Sequence, residues 1–155
     1  MTAQIFQLNI SDGGVPKTAV SNADLTDLGL IGDRQRNLKY HGGPNRALCL
    51  YSLERILALQ AEGHPIYPGA IGENVTIAGL DWSSVLPETH WQLGEQVLIE
   101  VTGYAVPCRN IQDAFHAHQF GRVSAKKHTG WSRVYARILQ PGSLSVGNVV
   151  MLASS

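Results

Sequence analysis

The stretch Gly103-Tyr104-Ala105-Val106-Pro107-Cys108-Arg109-Asn110 sets a soft nucleophile beside a fixed cation. Pro107 withholds a ladder donor and holds the residue before it extended, so Cys108 falls where strand pairing should stop. A thiol near an arginine ionises more readily, and the thiolate is the form that attacks sulfur or ligates a soft metal. A small buried hydrophobe is the commoner fate of such a cysteine, and the local sequence leaves both readings open. The other cysteine, Cys49, lies in Ala47-Leu48-Cys49-Leu50-Tyr51. Strand alternation puts it on the face of Ala47 and Tyr51, where a buried, unreactive thiol among apolar neighbours is expected, not bonded to Cys108.

Two glycine-rich stretches carry the remaining polar chemistry. The first opens at Gly29-Leu30-Ile31-Gly32-Asp33-Arg34 and closes at His41-Gly42-Gly43-Pro44-Asn45-Arg46. Its glycines permit tight turns and let main-chain amides approach a ligand, while Asp33, Arg34, Arg36, His41 and Arg46 supply charge around them. A solvated surface hairpin would look much the same. The second, Pro68-Gly69-Ala70-Ile71-Gly72-Glu73-Asn74, turns into a strand at Val75. Glu73 and Asn74 stand at that junction, from which side chains reach into a site; equally, Asn74 can cap the turn and Glu73 pair with an arginine.

The formal charge is zero over 155 residues, which argues against a nucleic-acid binder recognised by bulk basicity. The balance hides an asymmetry. Leu50 to Tyr104 holds one arginine against seven carboxylates, whereas Cys108 to Arg137 holds six lysines or arginines against Asp113 alone. Arg34, Arg36, Lys39 and Arg46 form a second basic cluster. If the two basic segments meet, they make a pocket for a small anion. Two unpatterned cysteines and no secretory leader point to a reducing cytoplasm, and no apolar run reaches the roughly 18 residues of a membrane span.

Residues Gln4–Ile10 alternate as a strand, Ser11-Asp12-Gly13-Gly14 turns, and Val15–Val20 returns. Ser21–Gly29 reads as irregular. Ala47–Tyr51 is a strand by composition, followed by a helix capped by Ser52, striped by Leu53, Ile56 and Leu57, and closed at Gly63. Trp82–Pro87 reads as loop and Gln96–Val101 as the strand leading to Cys108. Beyond it a short helix runs from about Asn110 through Ala114, Phe115 and Gln119 to Gly121. Its free amides would favour a thiolate or a bound anion. His116 and His118, two apart, cannot pair on one helical face, and the six histidines and two cysteines show no zinc spacing. Val134–Leu139 is a strand, Pro141-Gly142-Ser143 a turn, and Val146–Leu152 holds the last strand. Short strands with glycine- and proline-rich turns predict one mainly β domain over residues 1–155, a closed or partly closed barrel with a few short helices.

Taken together, Gly32-Asp33-Arg34 with His41-Gly42-Gly43-Pro44, then Pro68 through Asn74, then Pro107-Cys108, resemble the MOSC domain, named for the carboxy-terminal domain of molybdenum cofactor sulfurase. The tail, Gly130 through Leu139, Gly142 and Gly147-Asn148-Val149, is similar to the family's last two strands. The resemblance implies a β-rich barrel with one cysteine in a cleft, and Cys108 matches that cysteine. In the sulfurase it carries persulfide sulfur; in related amidoxime reductases it ligates molybdenum in a bound pterin. His41 matches the histidine of the glycine turn, and Glu73 with Asn74 the glycine-glutamate-asparagine motif. The chain shows no amino-terminal β-rich extension, ferredoxin tail or aminotransferase-like part, so pyridoxal phosphate is not expected.

Three functions follow from the resemblance. One is a molybdenum-cofactor-binding oxidoreductase, with Cys108 on the metal and Asp33, Arg34, Arg36, His41, Gly42, Gly43, Arg46, Glu73, Asn74, Arg109 and Arg133 around the cofactor. It would reduce N-hydroxylated compounds with electrons from a partner protein. Another is a persulfide sulfur carrier loaded by a cysteine desulfurase. The last is a module of the same fold that takes another small anion and leaves the thiol inert. None calls for nucleic acid or membrane.

Overall fold

The computed structural model describes residues 2–34 and 42–153. Eleven strands appear among them: β1 (Gln4–Ile10), β2 (Thr18–Val20), β3 (Asn22–Thr26), β4 (Gly29–Leu30), β5 (Leu48–Ser52), β6 (Val75–Ala78), β7 (His90–Leu93), β8 (Val97–Tyr104), β9 (Val134–Gln140), β10 (Gly142–Ser145) and β11 (Val150–Leu152). Eight form one sheet in the order β11-β7-β8-β9-β5-β6-β1-β2, and β10-β3-β4 form a second. The ladders do not close into the expected barrel. The two ends of the large sheet meet at the isolated bridge Gln4–Val149 and at backbone bonds from Ala3 and Ile5 to residues 147–150. That contact is too short for a ladder, because β1 gives its other half to β2 at Leu8–Val20 and beyond.

Alternation accounts for the strands. In β9, Val134, Ala136 and Ile138 enter the core, while Tyr135 and Arg137 point the other way. Along β1, Ile5 and Leu8 are fully buried; each such aliphatic side chain contributes on the order of 1.5–3 kcal/mol. All neighbouring strands pair antiparallel except β5 with β6. A parallel pair needs a crossover, and the helix α1 (Leu53–Ala61) lies within it. Ser52 caps α1 as its sequence says, its hydroxyl accepting the Arg55 N–H at 3.1 Å. Ile56 and Leu59, three apart, face the sheet and are fully buried.

Several expected loops are ordered otherwise. Ser21–Gly29 is not irregular: it supplies β3, which pairs with β10, and the start of β4, which pairs with the other edge of β3 in the small sheet. The expected turn at Pro141–Ser143 is largely β10 itself. His90–Leu93, a stretch to which the sequence assigns no element, forms β7. The helix expected after Cys108 is instead three 3-10 turns, Arg109–Ala114, His116–His118 and Phe120–Val123, broken where Ala117 adopts φ 53°. Without a continuous helix there is no macrodipole to act on Cys108.

Candidate functional site

The centre of the large sheet puts the separated motifs in one row. Register pairs Cys49 of β5 with Tyr135 of β9, and Tyr135 with Gly103 of β8. On the other side of β5, the Asn74 N–H donates to the Cys49 carbonyl at 2.7 Å and the Asn74 Oδ1 accepts the Cys49 N–H at 3.0 Å. The row therefore reads Asn74, Cys49, Tyr135, Gly103, with strand β8 ending one residue later. Among the described residues a Cβ built on Gly103 would meet nothing within 4 Å, so none of them fills the space on that side of Gly103.

Asn74 joins the second glycine-rich stretch to the first. Its Nδ2 donates to the Asp33 carboxylate at 2.9 Å and to the Asn9 carbonyl at 3.3 Å. Asp33 also accepts the Ser11 N–H at 2.9 Å and the Lys17 ammonium at 2.6 and 2.8 Å. Both partners of that ion pair are almost fully buried, with side chains 8% and 2% exposed. Lys17 carried no signal in the sequence beyond its charge, since its partner is 16 residues away across a turn. Arg34 points outward and lies 3.6 Å from Asp12, both side chains exposed. A cavity of about 620 Å³ is lined by Gly32, Asp33 and Arg34 together with Asp12, Thr26 and Leu28, and Cys108 is not among its lining residues. Arg36 and His41, named among the site candidates, lie outside the described residues.

Glu73, beside Asn74, does not pair with an arginine. Its Oε2 accepts the Gly69 N–H and the Thr76 hydroxyl, each at 3.1 Å, while Oε1 is buried without a partner. Burial outweighs these bonds and pushes the carboxyl above its ordinary range. Gly69 must be glycine here: its φ is +90° and a Cβ would sit 2.5 Å from the Lys17 carbonyl.

The first stretch returns through Gly42, Gly43 and a 3-10 turn at Pro44–Arg46. The Thr102 hydroxyl donates to the Asn45 carbonyl at 2.5 Å and fastens this turn to β8. Arg46 then lies over the Tyr135 ring, its guanidinium carbon 5.7 Å from the ring centre. Tyr135 is where the groups converge: Cys49, Arg133, Arg46 and Cys108 all act on its hydroxyl electrostatically, and burial above all raises it to about 12.

Cys108 itself is free and partly exposed. After Tyr104, the Ala105 N–H still donates to the Arg133 carbonyl at 3.0 Å, extending the β8–β9 register past its last ladder pair. Pairing then stops at Pro107, as its missing donor requires. The Cys108 carbonyl accepts the Ile111 N–H at 3.1 Å and starts the first 3-10 turn. Arg109 beside it is exposed, whereas Arg133 is 5% exposed and donates through Nη1 to the Ile71 carbonyl at 2.8 Å.

Cys49 is buried and free, as alternation indicated, but its surroundings are not apolar. Burial raises its thiol to about 11, with Arg133, Glu73, Lys17 and Asp33 acting on it in opposing directions. The sequence missed this because the groups come from four segments that only the sheet brings together. Tyr135 was missed for the same reason, having been read only as one residue of a strand.

A comparison with known proteins bears on this arrangement. The family model described as "MOSC domain" matches residues 37–151. Among curated proteins, YiiM of Escherichia coli (strain K12) is 33% identical over 135 residues, covering 84% of this chain and 58% of YiiM. YflK of Bacillus subtilis (strain 168) is 31% identical over 146 residues, 94% of this chain and 65% of YflK. The chain thus spans about three-fifths of the length of these relatives. A protein named "Reductase" from Gibberella moniliformis is 28% identical over 129 residues, which cover 80% of this chain but 22% of that one. The crystal structure of YiiM from Geobacillus stearothermophilus superposes with a TM-score of 0.76 at 26% identity, covering 98% of this chain and 75% of that one. With the family model spanning most of the chain and including Glu73, Asn74 and Cys108, the chain belongs to the MOSC domain family.

Proposed function

We propose that this MOSC-domain chain binds a molybdenum-pterin cofactor through Cys108 and serves in the reduction of N-hydroxylated compounds. The observation that carries the reading is the partly open, unbridged thiol of Cys108, which follows the end of β8 and acts electrostatically on Tyr135, the ring that Arg46 overlies. The donor set fits the cofactor. Among the described residues no three His, Cys, Asp or Glu side chains gather to hold a metal ion. A metal at Cys108 would therefore have to bring most of its own ligands, as a pterin dithiolene does, leaving one position for a soft thiolate. When bound, the cofactor would supply the redox centre at which two electrons reach the substrate.

The chain's own residues would do the rest. Arg46 and Arg109, both exposed, would receive the phosphate by charge-assisted hydrogen bonds, whereas Arg133 is buried against the Ile71 carbonyl. Arg36 and His41 belong to the same expected set, and Gly42 and Gly43 would let the backbone come close. Asp33, Asn74 and Lys17 would hold that turn against β5. Reduction of R–NHOH to R–NH2 consumes two electrons and two protons and releases water. The electrons would come from a separate donor protein. Similarity to a protein named a reductase supports this class of reaction, and two unbridged cysteines support a reducing cytoplasm.

The second reading, a persulfide carrier loaded by a cysteine desulfurase, is favoured by the same free thiol, because it needs an accessible cysteine and no cofactor. Turnover of an amidoxime by cofactor-loaded protein with a chemical two-electron donor distinguishes the two. Reduction that disappears in Cys108→Ser supports the first; an inactive wild type that carries a reducible extra sulfur supports the second.

A further inference from the structure

Two buried side chains have hydrogen-bonding capacity that nothing in the site uses. Arg133 is 5% exposed, yet its Nε–H has no acceptor, and no carboxylate lies within ion-pair distance of it among the described residues. Glu73 is fully buried, and its Oε1 has no partner either. The Gly69 N–H and the Thr76 hydroxyl both donate to Oε2, and the backbone N–H of Glu73 itself also favours the charged form. In the neutral acid the carbonyl oxygen is the better acceptor, so Oε2 takes that role and the proton sits on Oε1. Burial favours this neutral form.

The two orphan groups share one neighbourhood. Arg133 acts electrostatically on Glu73, and both act on Cys49 and on Tyr51. The Arg133 Nη1 is anchored on the Ile71 carbonyl, two residues before Glu73. They are not bonded to each other, which two donors could not be. What both lack is an acceptor, and Arg133 lacks a counter-charge as well.

We propose that the Nε–H of Arg133 and the Oε1–H of Glu73 converge on a buried site for one small anion, held only while Glu73 is protonated. The groups facing Glu73 permit it. Gly69 and Thr76 donate from the turn and β6; Cys49 and Tyr51, from β5, are kept neutral by burial; Lys17 and Asp33, beyond Cys49, neutralise one another. A water could accept both hydrogen bonds but would leave the guanidinium uncompensated; an anion does both, which is the arrangement buried charges require. The site needs neither Cys108 nor a metal, so it stands apart from the cofactor reading.

Metal-free protein titrated with chloride, and separately with phosphate, at constant ionic strength tests this by calorimetry and by melting temperature. Saturable binding of at least one of these anions to wild type is expected, full in acid and lost as pH rises through the Glu73 titration. Chloride alone would identify a site for a monatomic ion; phosphate alone, a site reached by one oxygen of a larger anion. Glu73→Gln, whose amide N–H replaces the acid proton, should keep binding and lose its pH dependence. Arg133→Lys should weaken it about ten- to hundredfold, the worth of a charged hydrogen bond, while the exposed Lys126→Gln should not change it. No saturable binding to wild type, or equal loss in Lys126→Gln, overturns the proposal and leaves a water between the two side chains.

Discussion

Replacing Asn74 with alanine removes the side chain that ties three segments of the site together. Three bonds go: Cys49 N–H to Oδ1 at 3.0 Å, Nδ2 to Asp33 at 2.9 Å and Nδ2 to the Asn9 carbonyl at 3.3 Å. Asp33 keeps Lys17 and Ser11, so its loss is partial. Cys49 is buried, and its backbone N–H keeps no partner on that side. One orphaned buried donor costs about 1–3 kcal/mol, and a weakened bond to a charged group adds roughly as much again. A total near 3 kcal/mol would be a large part of the about 5–15 kcal/mol a domain has. For a chain of 155 residues it corresponds to a melting temperature lower by about 6–12 °C. Urea unfolding with both proteins at one pH reads it directly: the midpoint should fall at unchanged slope. A loss below about 0.5 kcal/mol, the size of an ordinary surface substitution, would show that Asn74 is not the joint described.

Two further outcomes follow from buried titrating groups. Because burial raises the Glu73 carboxyl, its contribution to stability is fully present below the ordinary carboxylate range and is lost as pH rises through the folded value. Glu73→Gln should therefore flatten the urea midpoint against pH and make the protein relatively more stable on the alkaline side; parallel curves for the two proteins would refute this. Thiol labelling of the native protein should modify Cys108, partly exposed, much faster than Cys49, which is 7% exposed with its thiol raised to about 11. Equal rates would contradict the assignment of roles.

Much of the fold is legible because its cues are local. The alternation of Gln4–Ile10 and Val134–Leu139, the cap at Ser52 and the stop at Pro107 each act within a few residues, and each element forms near its expected place. What failed depended on distant partners. Residues 22–26 have no strong strand pattern and become β3 because β10 lies alongside, 117 or more residues later in the chain. The helix after Cys108 fails for the same reason: the His116 N–H donates at 3.0 Å to the Nδ1 of His64, 52 residues away, instead of to a carbonyl of its own turn. In the site, the motif residues Asp33 and Asn74 do meet, but Lys17, Cys49 and Tyr135 enter only through sheet register, which no single stretch encodes.

The role of Cys108 is the centre of the account, and its cargo can be weighed. Protein purified from cells supplied with molybdate, as wild type and as Cys108→Ser, should be analysed for molybdenum and for intact mass before and after reduction. A serine nearly matches the thiol in size, so the fold should persist and circular dichroism should be unchanged. The account predicts molybdenum bound to wild type and lost from the serine variant, or, on the persulfide reading, an extra sulfur on wild type that reduction removes and the variant never carries. Equal molybdenum in both proteins, or neither molybdenum nor extra sulfur in either, would make Cys108 a structural residue and contradict it.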